Sequence, residues 1–198
     1  MRHHSQLEKN RIEAFTDGVL AIIITIMVLE FKQPVGDLWG DFFALWPSLL
    51  AYLVSFLLIA IFWVNHHILF HGTNKINVAI AWTNIAWLFF MSFIPFLTVW
   101  IGDYPNSYAP ICIYYLDILF AGITFHLMFY LIMRRNGEKF KLGASNIISL
   151  IVYLLAALLG GFCPPAAFIA VILVSCWWMF SNNKKKNLDK EEKNGKSE

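Results

Sequence analysis

Charged residues are scarce in this sequence. Asp, Glu, Lys and Arg make up 14% of its 198 residues, against about 25% in an average soluble protein. Hydrophobic residues make up 59%, and the mean hydropathy is +0.61. A soluble domain of this size could not bury so much apolar surface, so the composition predicts an integral membrane protein in the lipid bilayer. At about 20 residues per span, the chain has room for about six transmembrane helices.

Cysteine is also scarce, with single residues at Cys112, Cys163 and Cys176. Three cysteines do not make a disulfide framework. Cys112 and Cys163 are predicted near the same membrane face, which leaves one bond between them open. We favour the interpretation that all three are small apolar fillers.

Motifs of enzymes and of nucleic-acid-binding proteins are missing. The sequence has no nucleophile–base pair, phosphate-binding loop or paired carboxylates, so we predict no enzymatic activity, no cofactor and no binding of nucleic acid. His66 and His67 are adjacent, so on a helix they point about 100° apart and cannot easily share a metal ion. His67 and His71 have a better spacing, but Gly72 indicates that the helix is ending, and His126 is isolated. We therefore predict no metal or haem site.

Long hydrophobic segments dominate the remaining sequence. They predict an all-α fold with six transmembrane helices, at about 12–31, 42–64, 78–101, 108–133, 142–162 and 164–180. Pro164 and Pro165 cannot continue a helix and so mark a tight turn between the last two spans. Residues 1–180 thus form one six-span unit, followed by a lysine-rich tail at 181–198 that we predict to be disordered.

The distribution of basic residues predicts the orientation of these spans. With the N-terminus in the cytoplasm, six spans bring every one of the 15 lysines and arginines except Lys32 to the cytoplasmic side. This asymmetry is typical of multi-pass proteins of the cell inner (plasma) membrane. We therefore predict that the N- and C-termini are both cytoplasmic.

The first predicted helix has two different faces. At 3.6 residues per turn, its small residues, branched apolar residues and one hydroxyl fall on a face of roughly 140°, which comprises Phe15, Gly18, Ala21, Ile22, Thr25, Ile26 and Leu29. Asp17 points away from that face. From this pattern alone, packing of the face against other helices is the favoured interpretation.

The same stretch resembles a known family. Arg11-x-x-x-Phe15-Thr16-Asp17-Gly18, followed by an Ile- and Thr-rich helix that ends in Leu29-Glu30, is similar to the signature of the transmembrane protein 175 family of potassium channels, in its bacterial form. The family usually has serine at the position of Thr16, which keeps the hydroxyl. Weaker similarity follows at Trp63-x-Asn65-His66-His67 and at Pro95-Phe96.

The resemblance implies a channel that passes potassium in preference to sodium. It implies a homotetramer in which the first helix of each subunit lines a central pore. Ile22 then matches the first constriction, Ile26 and Leu29 match further apolar rings that form a hydrophobic gate, and Thr25 matches a hydroxyl ring. The chain has no Thr-Val-Gly-Tyr-Gly loop for a carbonyl filter, so selectivity would come from partial loss of the hydration shell.

Asp17 needs a polar partner, because an ionisable group within a span is costly. The second predicted span ends at the same depth, near Trp63 and the pair His66–His67, and Arg11 lies just below. We predict a structural polar network of Arg11, Asp17, Trp63 and His66 or His67. The resemblance implies that such a network, in the stretch that also contains Phe15 and Thr16, holds the pore helix in register.

Two predictions concern other acidic residues. Glu30 lies at the outer end of the first helix, where a ring of carboxylates would concentrate cations, although an ordinary interfacial charge is equally favoured. Asp117 lies within the fourth span, and the sequence leaves its partner open among Tyr114, Asn84 and a crevice.

Two other functional classes remain as alternatives. One is a secondary transporter coupled to protons or ions through Asp17 and Asp117, which the short chain and the lack of paired repeats disfavour. The other is a membrane redox protein that uses the histidines.

Overall fold

The computed structural model describes residues 9–73, 76–138, 144–174 and 177, and all regular structure in these ranges is helical. The helices are α1 Lys9–Leu29, α2 Trp39–Phe43, α3 Trp46–His71, α4 Val78–Met91, α5 Ile94–Asp103, α6 Tyr108–Asn136, α7 Ala144–Leu159 and α8 Pro164–Val174. The tail predicted at 181–198 lies outside the described residues.

Among the described residues, four helical segments are long and apolar enough to cross a membrane: Lys9–Leu29, Trp46–His71, Val78–Asp103 and Tyr108–Asn136. The predicted fifth and sixth spans correspond to the shorter apolar helices α7 and α8. The all-α membrane class is therefore confirmed. Within the described ranges, α7 and α8 are shorter than the bounds predicted for the fifth and sixth spans.

The second span begins and ends later along the chain than its predicted bounds. Residues 42–43 belong to the separate short helix α2, and α3 begins at Trp46 with Pro47 in its first turn, where a missing N–H costs nothing. At the other end, α3 continues past Val64 to His71. Hydropathy falls at Asn65 and His66, but both side chains are buried and hydrogen-bonded, so the helix continues through them.

The third span is broken at Ser92–Phe93, between α4 and α5. Pro95 lies in the first turn of α5, and its ring and missing N–H disrupt a continuous helix. Beyond the break, α5 packs very closely on α3: a Cβ added to Gly102 would lie 2.9 Å from the Cα of Ser48.

The core lies between α3, α4, α5 and α6. The buried residues of α1 are Thr16, Leu20, Ile23 and Met27, whose spacing of three and four places them on one helix face. This face packs against α3, α4 and α5, while α6 packs against α4, α5 and α7. Cys112 and Cys163 are free thiols, and Cys176 lies outside the described residues.

Candidate functional site

The face of α1 opposite its buried residues is exposed. The exposed fraction is 58% for Ile22, 39% for Ile26 and 81% for Leu29, and Thr25 is exposed between them. All four residues predicted to line a pore therefore lie on the free side of α1. Phe15, Gly18 and Ala21 extend the same exposed face toward the start of the helix.

Thr25 uses its hydroxyl proton within its own helix. The Oγ1 hydroxyl donates to the carbonyl oxygens of Ile22 at 2.9 Å and Ala21 at 3.1 Å. A hydroxyl has one proton and two lone pairs, so this arrangement leaves the oxygen as an acceptor on the exposed face. Such an oxygen can replace part of a cation's hydration shell.

An apolar groove of about 480 Å³ runs beside this face, between α1 and the region of the α4–α5 break. Its lining combines residues of the exposed and the buried faces of α1 with residues of the broken span. The lining residues are Val19, Ile22, Ile23, Ile26, Glu30, Ser92, Pro95, Phe96 and Val99. Ile22 and Ile26 therefore have free space on their α5 side.

Asp17 is hydrogen-bonded to the second predicted span, as the depth argument suggested. Trp63 Nε1 donates to Asp17 Oδ1 at 2.8 Å, and the indole stacks on His67 with ring centroids 6.0 Å apart. Arg11 is exposed and has no ion pair with Asp17 among the residues that the structure describes. The structure thus brings together Asp17, Trp63 and His67, and leaves Arg11 apart.

His66 belongs to a second, buried network. His66 Nε2 donates to Asn84 Oδ1 at 2.9 Å, and Asn84 Nδ2 donates to Thr16 Oγ1 at 2.9 Å. All three side chains are at least nine-tenths buried, and the His66 ring stacks on Trp87 and Phe70. This network joins α1, α3 and α4.

Asn84 was considered from sequence only as a partner for Asp117, and its central position between Thr16 and His66 was missed. The sequence does contain an indication of this role, because an amide within an otherwise apolar span needs hydrogen-bond partners on other helices.

An ion pair lies just beyond the C-terminal end of α1. Lys32 Nζ is bonded to Asp103 Oδ2 at the end of α5, and this hydrogen bond raises the pKa of Lys32 above its ordinary value of 10.5. Next to the pair is a cavity of about 40 Å³, here called the Lys32 cavity, lined by Glu30, Lys32, Asp103, Thr98, Ser48, Tyr52, Met27, Phe31, Leu45 and Val99. Glu30 therefore lines the same cavity as the ion pair.

A row of hydroxyls leads inward from the Lys32 cavity. Ser55 Oγ lies 2.7 Å from Thr98 Oγ1 and 2.9 Å from Tyr114 Oη. Asp117 follows one turn later on α6 and is 8% exposed. Its Oδ2 is buried without a hydrogen-bond partner in the described part of the chain. Asn84 is hydrogen-bonded to Thr16 and His66, and Tyr114 is hydrogen-bonded to Ser55. Neither Asn84 nor Tyr114 is therefore a hydrogen-bond partner of Asp117 Oδ2.

Metal ligands do not cluster in the described ranges: no group of three or more His, Cys, Asp or Glu side chains could hold an ion there. His67 and His71 have ring centroids 6.2 Å apart.

Comparison with known proteins identifies the family. The family described as "Endosomal/lysosomal potassium channel TMEM175" matches residues 11–95. A potassium channel of Chryseobacterium sp. (strain P1-3) is 41% identical over 75% of this chain and 81% of its own length. The chain belongs to the TMEM175 family. The stretch matched by the TMEM175 family contains α1 from Arg11 onward, the network of Asp17 and Trp63, and the network of His66 and Asn84.

Other TMEM175 relatives are similar over less of their length or at lower identity. A potassium channel of Streptomyces collinus is 35% identical over 67% of this chain and 68% of its own length. The human endosomal/lysosomal proton channel TMEM175 is 33% identical over 46% of this chain but only 21% of its own length. The crystal structure of a lysosomal potassium-selective channel TMEM175 homolog from Chamaesiphon minutus matches with a TM-score of 0.74 and 27% identity, covering 88% of this chain and 98% of that one.

Proposed function

We propose that this protein is a potassium channel that prefers potassium over sodium. Its similar bacterial relatives are named potassium channels, and the matching crystal structure is of a potassium-selective homolog. The relatives are named channels, so we retain the channel over the transporter that would use Asp17 and Asp117. The permeant ion is potassium, and no cofactor takes part.

The exposed face of α1 is the observation that supports a pore in this chain. A single helix cannot enclose a pore, but four copies around an axis place Ile22, Ile26 and Leu29 in stacked rings. Narrow rings of branched apolar residues stop ions by dewetting, and so act as a gate. The opposite face of α1 is buried against α3, α4 and α5, so the exposed face is free to meet other subunits of a homotetramer.

Selectivity in this proposal comes from the constriction at Ile22 and the hydroxyl of Thr25. Potassium loses water more readily than sodium, so a ring that removes part of the hydration shell favours potassium. The Thr25 oxygen, whose proton is used by the backbone, offers a replacement ligand one turn away. Glu30 at the mouth would raise the local cation concentration.

The two polar networks have a structural part in this proposal. Asp17 with Trp63, and Thr16 with Asn84 and His66, attach the cytoplasmic half of α1 to α3 and α4 at two points. His67 supports Trp63 by stacking, while Arg11 and Phe15 stay exposed at the start of α1. Fixing α1 in this way would hold Ile22 and Thr25 in register around the pore axis.

The proposed topology has six spans with both termini cytoplasmic, in the cell inner (plasma) membrane. The pairing of Lys32 with Asp103 places the C-terminal ends of α1 and α5 on one side of the bundle, as antiparallel crossing of the first three spans requires. With cytoplasmic termini that side is external. The basic residues Arg134 and Arg135, in the last turn of α6, then lie inside.

The test is the reversal potential of the purified full chain in lipid bilayers, with potassium on one side and sodium on the other. A steady current that reverses toward the potassium equilibrium potential is expected. Ile22→Asn and Thr25→Val should change conductance or selectivity. Saturable flux that requires a proton gradient, with no steady current, would instead support a transporter.

A further inference from the structure

His67 and His71 lie one turn apart on the exposed side of α3. Gly72 indicates that the helix ends near these residues, but α3 remains helical through His71, and Gly72 is only its C-cap. Residues four apart on a helix are neighbours on its surface. The pair therefore keeps the spacing at which two imidazoles on one helix face can bind the same metal ion.

The last turn of α3 is attached to the end of α6. Asn136 Nδ2 donates to the carbonyl oxygen of Gly72 at 3.3 Å, and Thr73 Oγ1 donates to Asn136 Oδ1 at 2.9 Å. The carbonyl groups at the end of a helix have no partner within the helix, and the first of these bonds supplies one. The attachment explains why α3 remains regular as far as His71.

The two rings are close enough to share one ion. An imidazole nitrogen binds zinc at about 2.1 Å, and the ring centroid lies about 1.1 Å further away, so two rings on one ion have centroids up to about 6.4 Å apart. The centroids of His67 and His71 are 6.2 Å apart, with an angle of 46° between the rings. Because His71 is exposed at the end of α3, its side chain can rotate to bring the rings closer together around an ion.

Trp63 limits the motion of the other ring. Its indole stacks on His67 with ring centroids 6.0 Å apart and an angle of 23° between the planes. The indole N–H donates to Asp17 Oδ1 of α1, so Trp63 is itself held in place. A ligand that is held before binding loses less conformational entropy when the ion binds.

The chemistry of this position favours a divalent transition-metal ion. Imidazole is a preferred ligand of copper, nickel and zinc, whereas magnesium and calcium prefer oxygen. The last turn of a helix also favours a positive charge. His66 cannot contribute, because its ring is buried and bonded to Asn84. The described residues provide no third His, Cys, Asp or Glu side chain for the same ion, so water must fill the remaining positions.

We propose that His67 and His71 form a two-imidazole binding site for a divalent transition-metal ion, with water as the remaining ligands. Copper should bind more tightly than nickel or zinc. With two protein ligands the site binds its ion reversibly, unlike the closed four-ligand sites of structural zinc. The proposal departs from the prediction of no metal site, because that prediction assumed that the helix ends at this pair.

A bound ion would strengthen the contacts that attach α1 to α3. It would fix His67 against Trp63, and Trp63 is hydrogen-bonded to Asp17. α1 should therefore separate less readily from α3 around Asp17 when the site is occupied. This consequence concerns the packing of α1 and does not depend on the proposed channel function.

Electron paramagnetic resonance of bound Cu²⁺ counts the imidazole ligands without relying on conduction. The full chain is placed in lipid nanodiscs with His3→Gln and His4→Gln, so that the N-terminal histidines bind no copper. With equimolar Cu²⁺, pulsed spectra should show two coordinated imidazoles. His71→Gln should show one at most and bind about a hundredfold more weakly, because the second ring no longer acts as an intramolecular ligand. Two coordinated imidazoles in His71→Gln would overturn the proposal.

A matched variant tests the spacing of the histidines separately from their number. Ile68 is exposed on the same helix. Ile68→His combined with His71→Gln keeps two exposed imidazoles but makes them adjacent, about 100° apart around the helix. This variant should bind Cu²⁺ as weakly as His71→Gln alone. Binding as tight as that of the parent chain would show that the spacing is irrelevant, and the proposed site would be wrong.

Tryptophan fluorescence tests the position of the ion. Bound Cu²⁺ quenches nearby indoles, so the saturable part of the quenching should be smaller in Trp63→Phe than in the parent chain. Trp100→Phe is the control, because Trp100 lies near the C-terminal end of α5, on the opposite side of the bundle. Equal quenching in the two variants would contradict an ion beside Trp63.

Hydrogen–deuterium exchange tests the link to α1. Saturating Zn²⁺ should slow the exchange of the backbone amides around Asp17 in the parent chain and leave it unchanged in His71→Gln. Equal exchange with and without bound Zn²⁺ in the parent chain would overturn this link. A protein without potassium current would contradict the proposed channel instead, and would leave the binding and exchange results unaffected.

Discussion

Trp63 and Asp17 join α3 to α1 through one hydrogen bond, in which the indole N–H donates to a carboxylate oxygen 2.8 Å away. Trp63→Phe removes this donor and keeps an aromatic ring. Because both side chains are exposed in the subunit, we expect the free energy of unfolding in mixed micelles to fall by only about 1 kcal/mol. Trp82→Phe is the control, since Trp82 is 65% exposed on α4. An equal loss in both variants would contradict the role of this bond.

The two threonines of α1 should respond differently to the same substitution. Thr16→Val removes the acceptor of the Asn84 amide and leaves a buried donor unpaired, so unfolding should become easier by about 1–2 kcal/mol. Thr25→Val should leave stability nearly unchanged, because its hydroxyl bonds only its own helix. The effect on conduction in bilayers should have the opposite ranking. Thr25→Val should alter the potassium-to-sodium permeability ratio more than Thr16→Val does. A larger loss of stability from Thr25→Val would be inconsistent with this assignment.

Ile22→Ala should widen the proposed constriction. We expect a higher single-channel conductance and a lower preference for potassium, because ions would keep more of their hydration shell. Ile113→Ala on α6 is the matched control, as Ile113 is also an exposed isoleucine, at 44% against 58% for Ile22. If both variants conduct like the wild type, Ile22 does not line the narrowest part of the pore.

The ion pair of Lys32 with Asp103 should stabilise the protein only while Lys32 is charged. Its folded pKa is raised by the bond to Asp103, so the contribution is fully present below the ordinary value of 10.5. It disappears as the pH rises through the higher folded value. The melting temperature of Lys32→Met should therefore lie slightly below that of the wild type at neutral pH and meet it in strong alkali. Asp103→Asn should remove the same pH dependence. A difference in melting temperature between the wild type and Lys32→Met that stays constant up to strong alkali would refute the pairing.

Much of the site could be predicted from local sequence. The periodicity of residues 15–29 separated the exposed face of α1 from Asp17, and the depth of Asp17 predicted Trp63 as a partner. The sequence could not show whether His66 or His67 belongs to the network of Asp17 and Trp63. Adjacent residues on a helix point in different directions, and only the packing of α4 shows that His66 bonds to Asn84 while His67 stacks on Trp63.

Other features depend on contacts between segments far apart in the chain. Ser55, Thr98 and Tyr114 are ordinary polar residues in three different spans, and nothing local indicates that they meet. Likewise, α2 is too short for hydropathy to separate it from the span that follows. Pro95 did signal an interruption of the third span, but the residues at which α4 ends and α5 begins follow from packing.

The one-sided burial of α1 has a genetic consequence. In the proposed tetramer, every ring around the pore takes one residue from each subunit, so a single altered copy disturbs every ring. A cell that makes both normal and Ile22-substituted chains would assemble mostly mixed channels. Substitutions on the exposed face of α1 should therefore act dominantly, whereas substitutions that prevent folding, and so prevent assembly, should be recessive.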